Sequence, residues 1–169
     1  MASKLSTNRP LKYGQVAGPE VPTLAFELSA SMVFENDGGK FVKLDSSEQL
    51  VIAGDGDTEI LGWAHAGDRT SGSTAGRERA SVNISCDAVY ALPISVGGAA
   101  SARTETQLKD LVGKVCDLIV VSNVQRAAVD TSTEDTVQIV GYRIWGTAAN
   151  EQCVLVRMNP SKIAATGVV

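Results

Sequence analysis

Hydrophobic and polar positions alternate along this chain in two long runs. From Leu24 to Phe34 the even positions are Leu24, Phe26, Leu28, Ala30, Met32 and Phe34, with Ala25, Glu27, Ser29, Ser31 and Val33 between them. From Val82 to Ile94 the same phase returns as Val82, Ile84, Cys86, Ala88, Tyr90, Leu92 and Ile94. Side chains on a strand point alternately to its two faces, so a period of two predicts one buried and one wet face. The pattern predicts strands over 23–35 and 80–94, with the even positions inward. Shorter apolar runs predict further strands at 40–44, 49–53, 58–64, 115–121, 136–145 and 152–158, and a short one at 124–129. Between them lie turn signals: Asn36-Asp37-Gly38-Gly39, Gly54-Asp55-Gly56-Asp57, a polar loop over 67–78, a Gly97-Gly98 connector and a polar turn at 130–135. One helix is expected at 105–112. Thr104 caps it, Gln107 completes a capping box, and Gly113 stops it. About eight strands with turn chemistry between them predict an all-β fold, a small barrel or sandwich with one short helix.

Residues 1–22 break this rhythm. Pro10, Pro19, Pro22, Gly14 and Gly18 punctuate a segment with little periodicity. Such a segment buries too little surface to fold alone. Yet Leu5, Leu11, Tyr13, Val16 and Val21 are spaced through it as apolar anchors. The expectation is an extended N-terminal arm, 1–22, that orders on a partner through those five residues, followed by a β domain over 23–169.

Composition narrows the chemistry. The 169 residues suit one domain, and a hydrophobic share of 44% builds a core without metals or disulfides. A net charge of −4 with no basic stripe argues against a nucleic-acid surface. Cys86, Cys116 and Cys153 are an odd, widely spaced set, which reads as buried free thiols in a reducing compartment. No apolar run suggests a signal peptide or a membrane span.

No catalytic, cofactor or metal residues are assigned. His65 is the sole histidine and has no supporting constellation. Asp55-Gly56-Asp57-Thr58-Glu59 opens like a calcium loop, but Ile60 and Ala66 stand where that loop needs Gly and Glu. Gly72-Ser73-Thr74-Ala75-Gly76 has the outline of a nucleophile elbow with Thr74 at the serine position. Asp68-Arg69-Thr70-Ser71 resembles a phosphate-binding loop of the trimeric dUTP pyrophosphatases, whose other signatures are missing. That family is the enzyme alternative.

Four segments carry a wider resemblance. Gly39-Lys40-Phe41-Val42-Lys43-Leu44, Ile60-Leu61-Gly62-Trp63-Ala64, Glu78-Arg79-Ala80-Ser81-Val82-Asn83-Ile84 and Val89-Tyr90-Ala91-Leu92-Pro93-Ile94 resemble the capsid decoration, or cement, proteins of tailed bacteriophages. The likeness spans about residues 30–95, and the stretch 97–113 does not map onto it. It implies a structural virion protein made in the host cytoplasm. Such a subunit binds the major capsid protein on the outer surface of the head, often as a homotrimer, and stabilises the shell without enzymatic activity. A tail-tube or head–tail joining protein is a further alternative, since those are also small β proteins.

Overall fold

A computed structural model describes residues 14–18, 23–34, 39–66 and 69–163. The strands, in chain order, are β1 (Gly14–Ala17), β2 (Leu24–Glu27), β3 (Val33–Phe34), β4 (Gly39–Leu44), β5 (Leu50–Ile52), β6 (Gly62–His65), β7 (Arg69–Thr70), β8 (Arg79–Asn83), β9 (Val89–Leu92), β10 (Ile94–Val96) and β11 (Ala99–Ala100). The helix α1 (Glu105–Lys109) follows, then β12 (Val115–Val121), β13 (Val124–Ala128), β14 (Val137–Ile144) and β15 (Gln152–Met158). The protein is nearly all-β. Its strands form an eight-stranded mixed sheet, β1-β9-β15-β14-β12-β13-β10-β11, and a curled five-stranded sheet, β2-β8-β6-β4-β5, with β3 and β7 as a separate pair. This agrees with the expected barrel or sandwich.

The two sheets share one core. Phe41 and Trp63 of the smaller sheet pack with Tyr90, Leu92, Ile94, Leu118, Val137 and Val154 of the larger one. Phe41 meets Trp63 and Tyr90 edge-on at 5.0 Å, and Trp63 stacks on Tyr90 at 4.8 Å. Such aromatic pairs each contribute about 0.5–1.5 kcal/mol beyond the area they bury. The curled sheet wraps a second core on its other face. Val42, Leu50, Ala64, Ala80 and Val82 there enclose Leu28, Met32 and Phe34.

Both long alternating runs are broken, and this corrects the strands expected at 23–35 and 80–94. The first run leaves β2 after Glu27, turns at Ala30-Ser31 with Ser31 at φ 55°, and resumes as β3. Leu28, Met32 and Phe34 are buried as expected, but Leu24 is 48% exposed and Ala30 is exposed. Leu24 lies on the edge strand, where β8 covers one side of it. The second run turns at Cys86-Asp87 and separates β8 from β9. Val82 enters the second core, whereas Ala88, Tyr90, Leu92 and Ile94 enter the first, and Ile84 between them is exposed. With Asn83 buried and Ile84 exposed, the even-inward phase lapses where the chain changes sheet and resumes at Ala88.

Other local expectations hold. Thr104 caps α1, with its side chain accepting from the Gln107 N–H and Gln107 reaching back to the Thr104 N–H. The helix is shorter than 105–112 and gives way to a turn ending at Gly113, φ 90°. Gly97-Gly98 is a tight hairpin rather than a loose connector, with Val96 opposite Ala99 and both glycines at positive φ. The expected hairpin turn at 36–39 lies, but for Gly39, outside the described residues.

Candidate functional site

Of the five arm residues, Val16 lies in β1, paired to β9 within the same chain; Leu5, Leu11, Tyr13 and Val21 lie outside the described residues. At least residues 14–17 of the expected arm therefore belong to the β domain's own sheet. Val16 is the bulged residue of that pairing, between Gln15 opposite Tyr90 and Ala17 opposite Val89.

The residues weighed for chemistry are not brought together. His65 ends β6 at the surface, where partial burial lowers its pKa. Asp57 accepts the Gly54 N–H at 2.8 Å and pairs with Lys43, so Gly54–Asp57 is a charged turn closed by its own carboxylate. Among the described residues no cluster of three or more His, Cys, Asp or Glu is arranged to hold a metal ion.

The loop after β7 is a clasp. Ser71 is buried; its Oγ accepts the Met32 N–H at 2.8 Å and donates to the Ser29 carbonyl at 2.9 Å. Gly76 N–H donates to the Leu28 carbonyl at 2.9 Å, and Glu78 binds the Gly72 N–H and Arg69. These bonds tie the loop over the second core and leave Thr74 exposed. Asp68, the acid of the pyrophosphatase-like tetrapeptide, lies outside the described residues. The thiols are free, with Cys116 and Cys153 buried. Burial pushes the Cys116 pKa up, and it pushes that of Cys153 up to about 11 against the pull of Arg143. These two are poor nucleophiles at neutral pH.

Two of the deeply buried polar side chains, Gln125 and Asp117, bind backbone groups of other segments. Gln125 on β13 reaches across to the smaller sheet. Its Oε1 accepts the Phe41 N–H at 2.8 Å, and its Nε2 donates to the carbonyls of Phe41 at 3.0 Å and Ala53 at 2.7 Å. The side-chain amide takes the place of a peptide unit where β5 has ended. Asp117, also buried, accepts the N–H groups of Thr133, Glu134 and Asp135 at 2.9, 3.0 and 2.8 Å and so holds the 130–135 turn. Burial alone raises the Asp117 pKa; the N–H groups of Thr133, Asp135 and Glu134 outweigh it, and the net shift is downward.

Sequence reasoning missed several exposed apolar side chains on and near β14. Val140 and Ile144 on β14, Trp145 just after it, and Val112 in the turn after α1 are exposed apolar side chains. The Gly113 N–H donates to the Ile139 carbonyl at 2.8 Å, which brings that turn alongside β14. Trp145 is 44% exposed. The sequence does carry a signal for it, because adjacent large apolar residues at a strand end, Ile144-Trp145, cannot both face one core.

Comparison with known proteins finds no matching family model, no similar curated protein and no similar solved structure.

Proposed function

We propose that this protein is a capsid decoration subunit: it binds the outer surface of a phage head, on the major capsid protein, and stabilises the shell. The observation that carries the reading is where the four resembling segments fall. Three form β4, β6 and β8, neighbours in the smaller sheet, and the fourth forms β9 and enters β10 in the facing sheet. Their aromatic residues, Phe41, Trp63 and Tyr90, meet in the core that joins the sheets. The motifs are thus one packing unit, as expected of a shared structural domain. The buried polar groups of Gln125, Asp117 and Ser71 are spent on backbone. The protein on this reading acts by its surface and is not an enzyme.

The exposed Trp145 supplies an anchor of the type enriched at interfaces. The segment before β1 could supply reach: thirteen residues, if fully extended, would span at most about 43 Å. A truncation that tests the arm ends at residue 13, because a cut at residue 22 also removes β1. Purified protein mixed with undecorated heads should cosediment with them. Removal of residues 1–13 should leave Tm nearly unchanged and weaken binding at least tenfold, about 1.4 kcal/mol. Full affinity after truncation would leave binding to the β domain alone. Absence of binding by the full chain would overturn the reading in favour of the tail-tube or head–tail joining alternative. Hydrolysis of dUTP that is lost in Asp68→Ala would favour the enzyme.

A further inference from the structure

The outer face of the β14–β15 hairpin carries charge that the protein leaves unpaired. Val154 and Val156 of β15 enter the first core, so Cys153, Leu155 and Arg157, which alternate with them, point the other way. Residues directly opposite across the two strands share a face. Arg143 is opposite Cys153, Gly141 opposite Leu155 and Gln138 opposite Arg157. Trp145 continues this phase just past the last pair, where its N–H donates to the Glu151 carbonyl at 2.9 Å. Arg143 and Trp145 are exposed, and Leu155 and Arg157 are half-buried. Leu155 lies over Gly141, where a Cβ would stand 3.3 Å from the Leu155 Cδ1.

The ion pairs among the described residues are Lys43–Asp57, Arg69–Glu78, Arg79–Glu27 and Lys109–Glu105. Neither Arg143 nor Arg157 has a carboxylate partner there. Arg157 instead donates from Nε and Nη2 to the Gln138 Oε1 at 2.9 and 2.7 Å. That amide does not neutralise the guanidinium. It holds the planar group in one orientation and leaves the Nη1 end without a bond among the described residues. A guanidinium takes a carboxylate through two parallel N–H bonds, and one already held in place loses less freedom on binding. Arg157 is four residues along β15 from Cys153, the residue opposite Arg143. At about 3.3 Å per residue, the two arginine positions are roughly 13 Å apart along the strands, with Leu155 midway. An extended segment has the same rise, so side chains four residues apart on one of its faces match both arginines, and the side chain between them meets Leu155. A polyanion such as nucleic acid fits less well, because the net charge of −4 repels it over the rest of the surface.

We propose that the outer face of the β14–β15 hairpin is a docking surface for an extended acidic segment of a partner protein. Two carboxylates four residues apart bind Arg143 and Arg157, an apolar residue between them covers Leu155, and Trp145 packs on the segment beyond Arg143. The test rests on the capsid reading, in which that segment belongs to the major capsid protein.

The test uses the full chain and undecorated heads. Arg143→Glu combined with Arg157→Glu should weaken cosedimentation with heads at least about tenfold, and Trp145→Ala should do so by a similar factor. Arg77→Glu combined with Lys109→Glu makes the same change in net charge at exposed positions elsewhere, and should leave binding close to wild type. Wild-type affinity should fall steeply as salt rises, and that of the arginine double variant should not. Arg143 makes no side-chain hydrogen bond among the described residues, so Arg143→Glu alone keeps the fold and should still flatten the salt dependence. An arginine double variant that binds with wild-type affinity, or a charge-matched control that loses as much, overturns the proposal and leaves the capsid reading standing. Failure of the unsubstituted chain to bind heads overturns both. Retention of a single-stranded oligonucleotide by the wild type that the arginine double variant loses would assign the face to phosphates and overturn the acidic partner.

Discussion

Gln125→Leu isolates the contribution of one side-chain amide to the joining of two sheets. Leu keeps the volume and removes every hydrogen bond. The Phe41 carbonyl still accepts the Ala53 N–H at 3.0 Å. The Phe41 N–H and the Ala53 carbonyl lose the partner that Gln125 provides, in a core where Phe41 and Ala53 are fully buried. A buried backbone group left unpaired costs about 1–3 kcal/mol, so two cost roughly 2–6 kcal/mol. That is a large share of the 5–15 kcal/mol typical of a whole domain. At about 2–4 °C per kcal/mol for a chain of this size, Tm should fall on the order of 10 °C. Gln125→Glu sharpens the test. A carboxylate accepts the Phe41 N–H but faces the Ala53 carbonyl with like charge, so its folded pKa is raised above the unfolded value. The penalty then grows as pH rises from about 4.3 towards the folded pKa. Urea unfolding at pH 7 and pH 4.5 should show Gln125→Glu closer to the wild type at the lower pH. A Gln125→Leu protein within about 0.5 kcal/mol of wild type would refute the inter-sheet clamp.

Three further outcomes follow from particular contacts. Leu28→Asp should unfold the domain by burying an unpaired charge, whereas Leu24→Asp, at an exposed edge position, should leave Tm within a few degrees of wild type by circular dichroism; equal effects would mean the 23–35 break is misplaced. Tyr90 is fully buried and its hydroxyl has no hydrogen-bond partner among the described residues, so Tyr90→Phe should be neutral or stabilise by about 1–2 kcal/mol; a loss beyond 1 kcal/mol would point to an unrecognised partner. Asp117→Asn should destabilise at pH 7, because the folded pKa of Asp117 is lowered and its contribution is fully present above the unfolded value near 3.9. The gap to wild type should shrink as pH falls through the folded pKa, and a gap independent of pH down to 2 would contradict the carboxylate's role in the turn.

The second half of the fold was the more legible. β12 and β15 begin and end where their apolar runs do, and the helix start was readable because Thr104 and Gln107 form a local device that needs no tertiary contact. The breaks in the two alternating runs were not readable. A period of two reports that alternate residues are buried, not that they share one sheet. Ser31 re-aims the chain and still delivers Met32 and Phe34 to the core that holds Leu28. Between Val82 and Tyr90 the inward phase lapses, with Asn83 buried and Ile84 exposed, and is regained in a different core. β1 was hidden for a different reason. Gly-Gln-Val-Ala has neither alternation nor β-rich composition, and its place depends on an open β9 edge and on Asn83, some seventy residues away. The clamp by Gln125 had a faint trace, a polar residue in phase with inward Ala127, but its partners belong to another sheet.

The central claim is that this chain works as a surface-bound structural subunit of a phage head. The most direct test is a cryo-electron microscopy reconstruction of the virion that carries it. The account predicts density for the two-sheet fold on the outside of the shell, in regular copies over junctions of the major capsid protein, with residues before β1 reaching onto a neighbouring subunit. Density for the fold along the tail axis or at the head–tail joint, or a particle whose shell lacks it, would contradict the claim.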